Sequence, residues 1–422
     1  MGQSPSPFTP GYNQVPGFLA GREEILGEAR EAIDQALLDG RTPPAMVLVG
    51  PRGMGKSVLL QEIARRAEGW LHLALDVPEG GQLSALLIER AERLMATAEH
   101  KRDKQLRVTD ATLRAGVAGV GAELHLSPAT AGRGTPTALT IAMERALDPV
   151  MAASARRSTG LLVTLDEAQN AIARGELQAI AAWHQRAVTQ NWPVVLVIAG
   201  LPALSAKGIR TAYERANWFD VERLSPQATV AALVRPAADA GRPFEVPAAV
   251  ELARHTGGYP YAVQLYGHHA WRASAGEASI TPTAVQSALP SAAHVLERNL
   301  YRQRWAQASP KEREYVTALA HLVSDGVPPT GAGVASFLGV TPKELSWVRQ
   351  GLIDKGTLVA VNNQLSFVVP GFAAYVFRQE RAATIAELLE ASSPQGTLEG
   401  SPGAAVLGNW PPGWSPTDEL GW

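Results

Sequence analysis

The stretch VLVGPRGMGKSVLL, residues 47–60, decides how this chain is read. An apolar run enters a glycine-rich loop, which ends in Lys-Ser ahead of a second apolar run. Gly50, Gly55, Lys56 and Ser57 satisfy the spacing G-x-x-x-x-G-K-[ST], the pattern of a loop whose backbone N–H groups cradle phosphates. Glycines at 50, 53 and 55 let the main chain approach the anion closely and take positive φ. Lys56, expected to be exposed on the loop, supplies a point charge for the β- and γ-phosphates, and the Ser57 hydroxyl is a hard oxygen ligand for Mg2+. The helix that follows turns its N-terminal dipole toward the same anion. The aliphatic MVLVG ahead of the loop reads as a buried parallel strand. SVLLQEIARRA behind it repeats apolar residues at helical spacing. Nucleotide-phosphate binding is therefore preferred over a plain glycine turn between strand and helix.

At 422 residues the chain is long enough for two or three domains. Its 38 Lys and Arg against 40 Asp and Glu leave a net charge of −2, so no global electrostatic pull toward nucleic acid or an anionic membrane exists. The absence of cysteine excludes disulfides, thiol catalysis and cysteine metal sites. The opening MGQSPSPFTPGYNQVPG lacks a basic-then-apolar signal pattern, and no apolar run reaches the length of a bilayer span. The expectation is a soluble, cytoplasmic protein with no membrane partner.

Along the chain, residues 1–16 read as a flexible arm and residues 17–224 as an α/β core. FLAGREEILGEAREAIDQALLDG is helical and stops at Gly40. WLHLALDV, GLLVTLDEAQN and PVVLVIAGLPAL read as further buried strands, with helices between them. Strands alternating with helices predict a parallel sheet with ligands at the strands' carboxyl ends. The weakly patterned residues 107–136 read as an exposed hairpin or loop insertion. Residues 225–304 read as helices only, a small lid. Residues 305–383 follow the order of a winged helix-turn-helix: a helix capped by Ser309 with Glu312 three residues on, then TGAGVASFLGV and TPKELSWVRQGLIDKGTLVAV forming helix–turn–helix, then NNQLSFVVP as a hairpin. Residues 384–422 read as a helix end and a disordered tail of Pro, Gly and Trp.

A phosphate loop needs a metal anchor and a group that orients water. LLVTLDEAQN supplies both at a strand end, Asp166 to hold Mg2+ and Glu167 to polarise the attacking water. A neighbouring strand would bring these acids beside the loop. The competing reading, that both acids cap the next helix, loses weight once the phosphate loop is present upstream. His268 and His269 are not a metal pair in this reading, because adjacent helical residues point about 100° apart.

On these motifs the chain resembles AAA+ ATPases of the bacterial and archaeal branch near the origin-recognition initiators, including related ATP-binding proteins of actinobacteria. FLAGREEIL, GPRGMGKS, LLVTLDEA, VVLVIAGLP, AYERANWFDVERLSP and HTGGYPYAVQLYGHHAW carry the resemblance, which spans about residues 17 to 380. It implies an AAA+ P-loop sheet with a helical lid and a C-terminal winged helix, binding ATP and Mg2+. It places Phe18, Leu19 and Arg22 near the adenine. It places Gly50, Pro51, Arg52, Gly53, Met54, Gly55, Lys56, Ser57 and Val58 around phosphate and metal. Arg215 falls where the family directs an arginine at a neighbouring subunit's γ-phosphate, with a surface salt bridge to Glu214 as an equal reading.

Two positions depart from the family. The strand that usually ends in a polar side chain ends here in Ala199-Gly200-Leu201-Pro202, and the lid position usually held by an arginine offers Pro260 and Tyr261. The lid is thus expected to bring no cation to the γ-phosphate. The recognition helix expected at 342–355 carries Lys343, Arg349 and Lys355 but also Glu344 and Asp354. DNA and protein partners stay about even for it, and any homo-oligomer is expected to be weak. Two functions stand side by side: a Mg2+-dependent ATPase acting on DNA or a protein, and an ATP-bound scaffold or switch with negligible turnover.

Overall fold

The computed structural model describes residues 5–11, 14–80, 82–109, 136–156, 159–205 and 207–391. Residues Met1–Phe377 form one compact unit and Arg378–Trp422 a second. The elements in order are α1 (Glu23–Leu38), β1 (Met46–Val49), α2 (Lys56–Arg66), β2 (Leu71–Asp76), α3 (Leu83–Thr109), α4 (Pro136–Arg156) and β3 (Leu161–Asp166). A 3-10 turn, Ala168–Arg174, leads to α5 (Glu176–Thr189), β4 (Val194–Gly200), α6 (Lys207–Ala212) and β5 (Asn217–Asp220). Helices α7 (Pro226–Asp239), α8 (Val246–Thr256), α9 (Pro260–Ala273) and α10 (Pro282–Leu296) follow without a strand between them.

The strands form one parallel sheet in the order β2-β3-β4-β1-β5. Alternate residues of its central strands feed two separate apolar layers, as the two-residue period of a strand requires. Met46 and Leu48 of β1 with Val195 and Val197 of β4 face α1 and α2. Val47, Val49, Leu196 and Ile198 face α3, α4 and α5 on the other side. Burial on both faces explains why β1 and β4 read as continuous aliphatic runs.

Three expectations change here. β5 was hidden inside AYERANWFDVERLSP, because a four-residue, half-exposed edge strand has neither an apolar run nor a clean alternation. The strand bearing Asp166 is not adjacent to β1, since β4 lies between them. The described part of the arm is anchored at Phe8 and Thr9: Phe8 is 3% exposed and meets Phe244 edge-on, and Thr9 N–H donates to the Gln264 side chain at 3.0 Å. Of the insertion expected at 107–136, residues 107–109 continue α3 and Pro136 opens α4; the rest lies outside the described residues. The tail from Ser392 also lies outside them.

The lid's apolar layer runs on into α11 (Arg302–Gln307), α12 (Pro310–Ser324), α13 (Gly331–Phe337), α14 (Ser346–Asp354), β6 (Leu358–Val361), β7 (Gln364–Phe367) and the start of α15 (Phe372–Ala391). Ser309 and Glu312 cap α12 reciprocally, as their three-residue spacing suggested. The helix expected at 342–355 is shorter, α14 beginning at Ser346 after a turn, and LVAV beyond it forms strand β6. β6 and β7 are joined by Asn362-Asn363, both with positive φ (49° and 64°). That backbone matches the right-handed twist of a two-residue hairpin, and asparagine tolerates it.

Candidate nucleotide site

β1 ends beneath the loop, and each loop glycine answers a distinct constraint. A Cβ on Gly50 would stand 2.2 Å from the Val221 carbonyl oxygen, so β5's exit packs directly on the loop's first residue. Gly53 has φ +83° and faces Tyr259, whose hydroxyl would lie 1.8 Å from a Cβ there. The same hydroxyl donates to the Arg52 carbonyl at 3.2 Å. Gly55, at φ 89°, precedes α2 and brings no side chain to cap it, which leaves the helix's first N–H groups to a ligand.

Lys56 corrects the expectation of an exposed side chain. It is 6% exposed, and its Nζ donates to the carbonyls of Gly50 (2.7 Å) and Pro51 (2.8 Å). Burial draws its pKa down to about 8, against the pull of Glu167 and Asp166 and with help from Arg52. Asp166, at the end of β3, is pushed up by burial. The Glu167 backbone N–H donates to its carboxylate at 2.9 Å, and the Ser57 hydroxyl beside it opposes the upward shift. The two residues assigned to metal thus come within reach of each other although β1, which leads to Ser57, and β3, which bears Asp166, are not neighbours. A hydroxyl and a carboxylate are hard oxygen donors, which suits Mg2+ shared with a nucleotide's phosphates.

Glu167 adopts left-handed backbone, φ 50° and ψ 35°, and its side chain makes no capping bond to the 3-10 turn it precedes. Gln169 holds the carboxylate instead: Nε2 donates to Glu167 Oε2, and Oε1 accepts from the Leu201 N–H at 2.9 Å. The polar group missing from the end of β4 is therefore replaced from the neighbouring turn.

Arg22, Phe18 and Leu19 line the same cavity as the loop, a space of about 1350 Å³. Arg22 is tied by Nη2 to the carbonyls of Met54 (3.1 Å) and Glu222 (2.7 Å), and burial lowers its pKa. Phe18 carries the Arg235 guanidinium over its ring at 4.6 Å. Arg52, Gly53, Met54, Gly55, Lys56, Ser57, Val58 and Glu167 also line the cavity. Gly50 and Pro51 stand behind it as the carbonyls that hold Lys56, and Asp166 is reached through Ser57. Arg215 is exposed and outside the cavity, and no ion pair with Glu214 forms among the described residues.

The sequence reading missed four contributors. Gln169 was legible, since it stands two residues beyond Glu167 in the same motif. Tyr259 was visible only as part of GGYPY. Arg304 and Lys355 had no local signal, yet both line the cavity and bring it the cations that α9 does not. Lys355 Nζ is paired with Glu312 at 2.7 and 2.9 Å.

A glycine loop after an inner strand of a parallel sheet, a lysine folded back on it, a strand-end aspartate beside its serine and the helices that follow are the features of a P-loop nucleotide-binding fold. Residues 19–198 match the AAA ATPase domain family, and residues 298–376 match a domain of unknown function (DUF8462). Among solved structures, the Walker-type ATPase PABY2304 of Pyrococcus abyssi is similar at 18% identity and TM-score 0.56, over 85% of this chain and 96% of that one. The ORC2 protein of Aeropyrum pernix, solved in ADPNP–ADP complexes, is similar at 14% identity and TM-score 0.53, over 91% and 98%. A comparison with curated proteins finds no match. Residues 19–198 thus carry an AAA ATPase domain, and the chain shares the fold of these two solved structures. Among the described residues, no helix is long and apolar enough to cross a membrane.

Proposed function

We propose that this protein binds ATP with Mg2+ and hydrolyses it to drive an action of its C-terminal domain on a partner. The observation that carries the reading is the convergence of Ser57 and Asp166 beside Lys56, with Glu167 lining the same cavity. Lys56 and the loop N–H groups take the phosphates, and Phe18, Leu19 and Arg22 take the adenine side. Ser57 and Asp166 hold Mg2+, which when bound neutralises developing phosphate charge. Glu167 orients the attacking water and receives its proton. Arg215, free on the surface, serves a neighbouring copy's γ-phosphate in a weak homo-oligomer. The setting is cytoplasmic.

The C-terminal domain is read as a winged helix that favours a protein partner over DNA. Of the basic residues expected on its recognition helix, Lys355 is spent on Glu312 and Arg349 lies against Gly331. Trp347 on α14 is 63% exposed, a side chain suited to a protein surface. A switch with negligible turnover is the second reading, supported by the seating of the α14–β6 turn on the phosphate loop. Phosphate release by the wild type and Glu167→Gln, with and without duplex DNA, tests both. No release under any condition selects the switch, and stimulation by DNA reverses the partner assignment.

A further inference from the structure

Arg304 stands on α11, far in sequence from the phosphate motifs, yet it lines the same cavity as Lys56 and Ser57. Its Nη1 donates to the Gly356 carbonyl at 2.9 Å. Gly356 forms the turn between α14 and β6, at φ +67°, and this turn lies against the loop. A Cβ there would be 3.2 Å from the Arg52 backbone nitrogen and 3.4 Å from the Pro51 Cα. Lys56 reaches back to the carbonyls of Gly50 and Pro51 on the same stretch. Because that ammonium serves the β- and γ-phosphates, the turn and Arg304 stand at the terminal-phosphate end of the loop.

The electrostatics around Arg304 are unbalanced. Burial lowers its pKa and the Arg52 charge lowers it further, with Tyr259 and Tyr301 opposing. The nearby Glu312 carboxylate is already held by Lys355, and Arg304 makes no ion pair among the described residues. Arg52 and Arg304 face this cavity with no carboxylate paired to either guanidinium among the described residues, and two such unpaired cations call for an anion. A guanidinium has five N–H donors in a planar fork, so one can stay on Gly356 while others meet a phosphate.

We infer that Arg304 binds the terminal phosphate of a nucleoside triphosphate while keeping the Gly356 carbonyl, so that a triphosphate, unlike a diphosphate, clamps the C-terminal domain onto the phosphate loop. The inference rests on the nucleotide-binding reading of the site. Arg223 tethers the far end of the hairpin through the carbonyls of Phe367 and Val368. The α14–β6 turn is therefore the element whose exposure reports the clamp.

The test uses the full chain with ADP and ADPNP, calorimetric affinities and amide hydrogen exchange over residues 355–357. In Arg304→Gln, ADPNP affinity falls on the order of tenfold or more, the scale of one charged hydrogen bond, while ADP affinity holds. In the wild type, ADPNP slows exchange of the turn beyond ADP; in Arg304→Gln the two nucleotides protect it equally. Arg304→Lys is the second variant: an ammonium lacks the planar fork, so protection falls to the ADP level. Wild-type protection in Arg304→Lys, or an unchanged ADPNP-to-ADP affinity ratio in Arg304→Gln, overturns the inference and leaves nucleotide binding standing. A wild type that binds neither nucleotide overturns both.

Discussion

The Gln169 carboxamide bridges two elements at once, donating to the Glu167 carboxylate and accepting from the Leu201 N–H at 2.9 Å. Glu167 sits in left-handed backbone at φ 50°, a conformation a non-glycine residue keeps only where its surroundings hold it. The end of β4 has no polar side chain to do this, and Gln169 supplies one. Gln169→Ala is expected to lower turnover by about tenfold or more, the scale of a lost positioning contact, with KM nearly unchanged. Steady-state phosphate release measures it, and unchanged kcat would show that Glu167 is oriented without this contact.

Glu167→Gln should separate binding from hydrolysis. Asp166 and Ser57 remain for the metal, so ATP affinity is kept while turnover falls by about a hundredfold or more. Binding by calorimetry and hydrolysis by phosphate release give the two readings. Equal turnover in variant and wild type would assign Glu167 a purely local backbone role.

Lys56→Ala removes the ammonium and frees the carbonyls of Gly50 and Pro51. Thermal unfolding with and without ATP–Mg2+ tests the consequence. The wild type gains about 2.7 kcal/mol at a hundredfold excess of ligand over Kd, and the variant loses most of that gain. A variant stabilised as strongly as the wild type would refute phosphate binding at this loop.

The pKa of Lys56, lowered to about 8 by burial, sets a pH dependence. In the native protein the ammonium begins to lose its proton near pH 8, while in the unfolded chain it keeps it until about 10.4. Between these values the unfolded state binds more protons, so this group's contribution to stability rises with pH. Nucleotide affinity runs the other way, since neutral Lys56 attracts phosphate less. ATP affinity is expected to fall between pH 7 and 9 in the wild type and to stay flatter in Lys56→Arg, whose guanidinium remains charged. A wild-type affinity flat across that range would contradict it.

Gly53→Ala places a methyl group 1.8 Å from the Tyr259 hydroxyl at a backbone angle of +83°. Strain and displacement of Tyr259 together should cost roughly 1–3 kcal/mol of stability. Urea unfolding of variant and wild type measures the difference. A loss below a few tenths of a kcal/mol would mean that Tyr259 moves aside freely.

The phosphate loop, the two acids and the alternation of strand and helix were legible in the chain alone. Their signals are local: spacing within eight residues, an apolar run, a strand ending in carboxylates. Even the Asn362-Asn363 turn carried its conformation in its residue types. What the linear pattern could not contain was order in the third dimension. The insertion of β4 between β1 and β3 depends on how the crossovers pack, and β5 is too short and too exposed to leave a periodic trace. The burial of Lys56 follows from carbonyls folded over it rather than from its residue type, which alone suggests exposure. Arg304 reaches the phosphate loop from some 250 residues away, because the apolar layer of the lid continues into the C-terminal domain and seats its turn there. Local chemistry sets which groups can bind a phosphate, whereas long-range packing of apolar surface, which is non-directional, decides which distant cations join them.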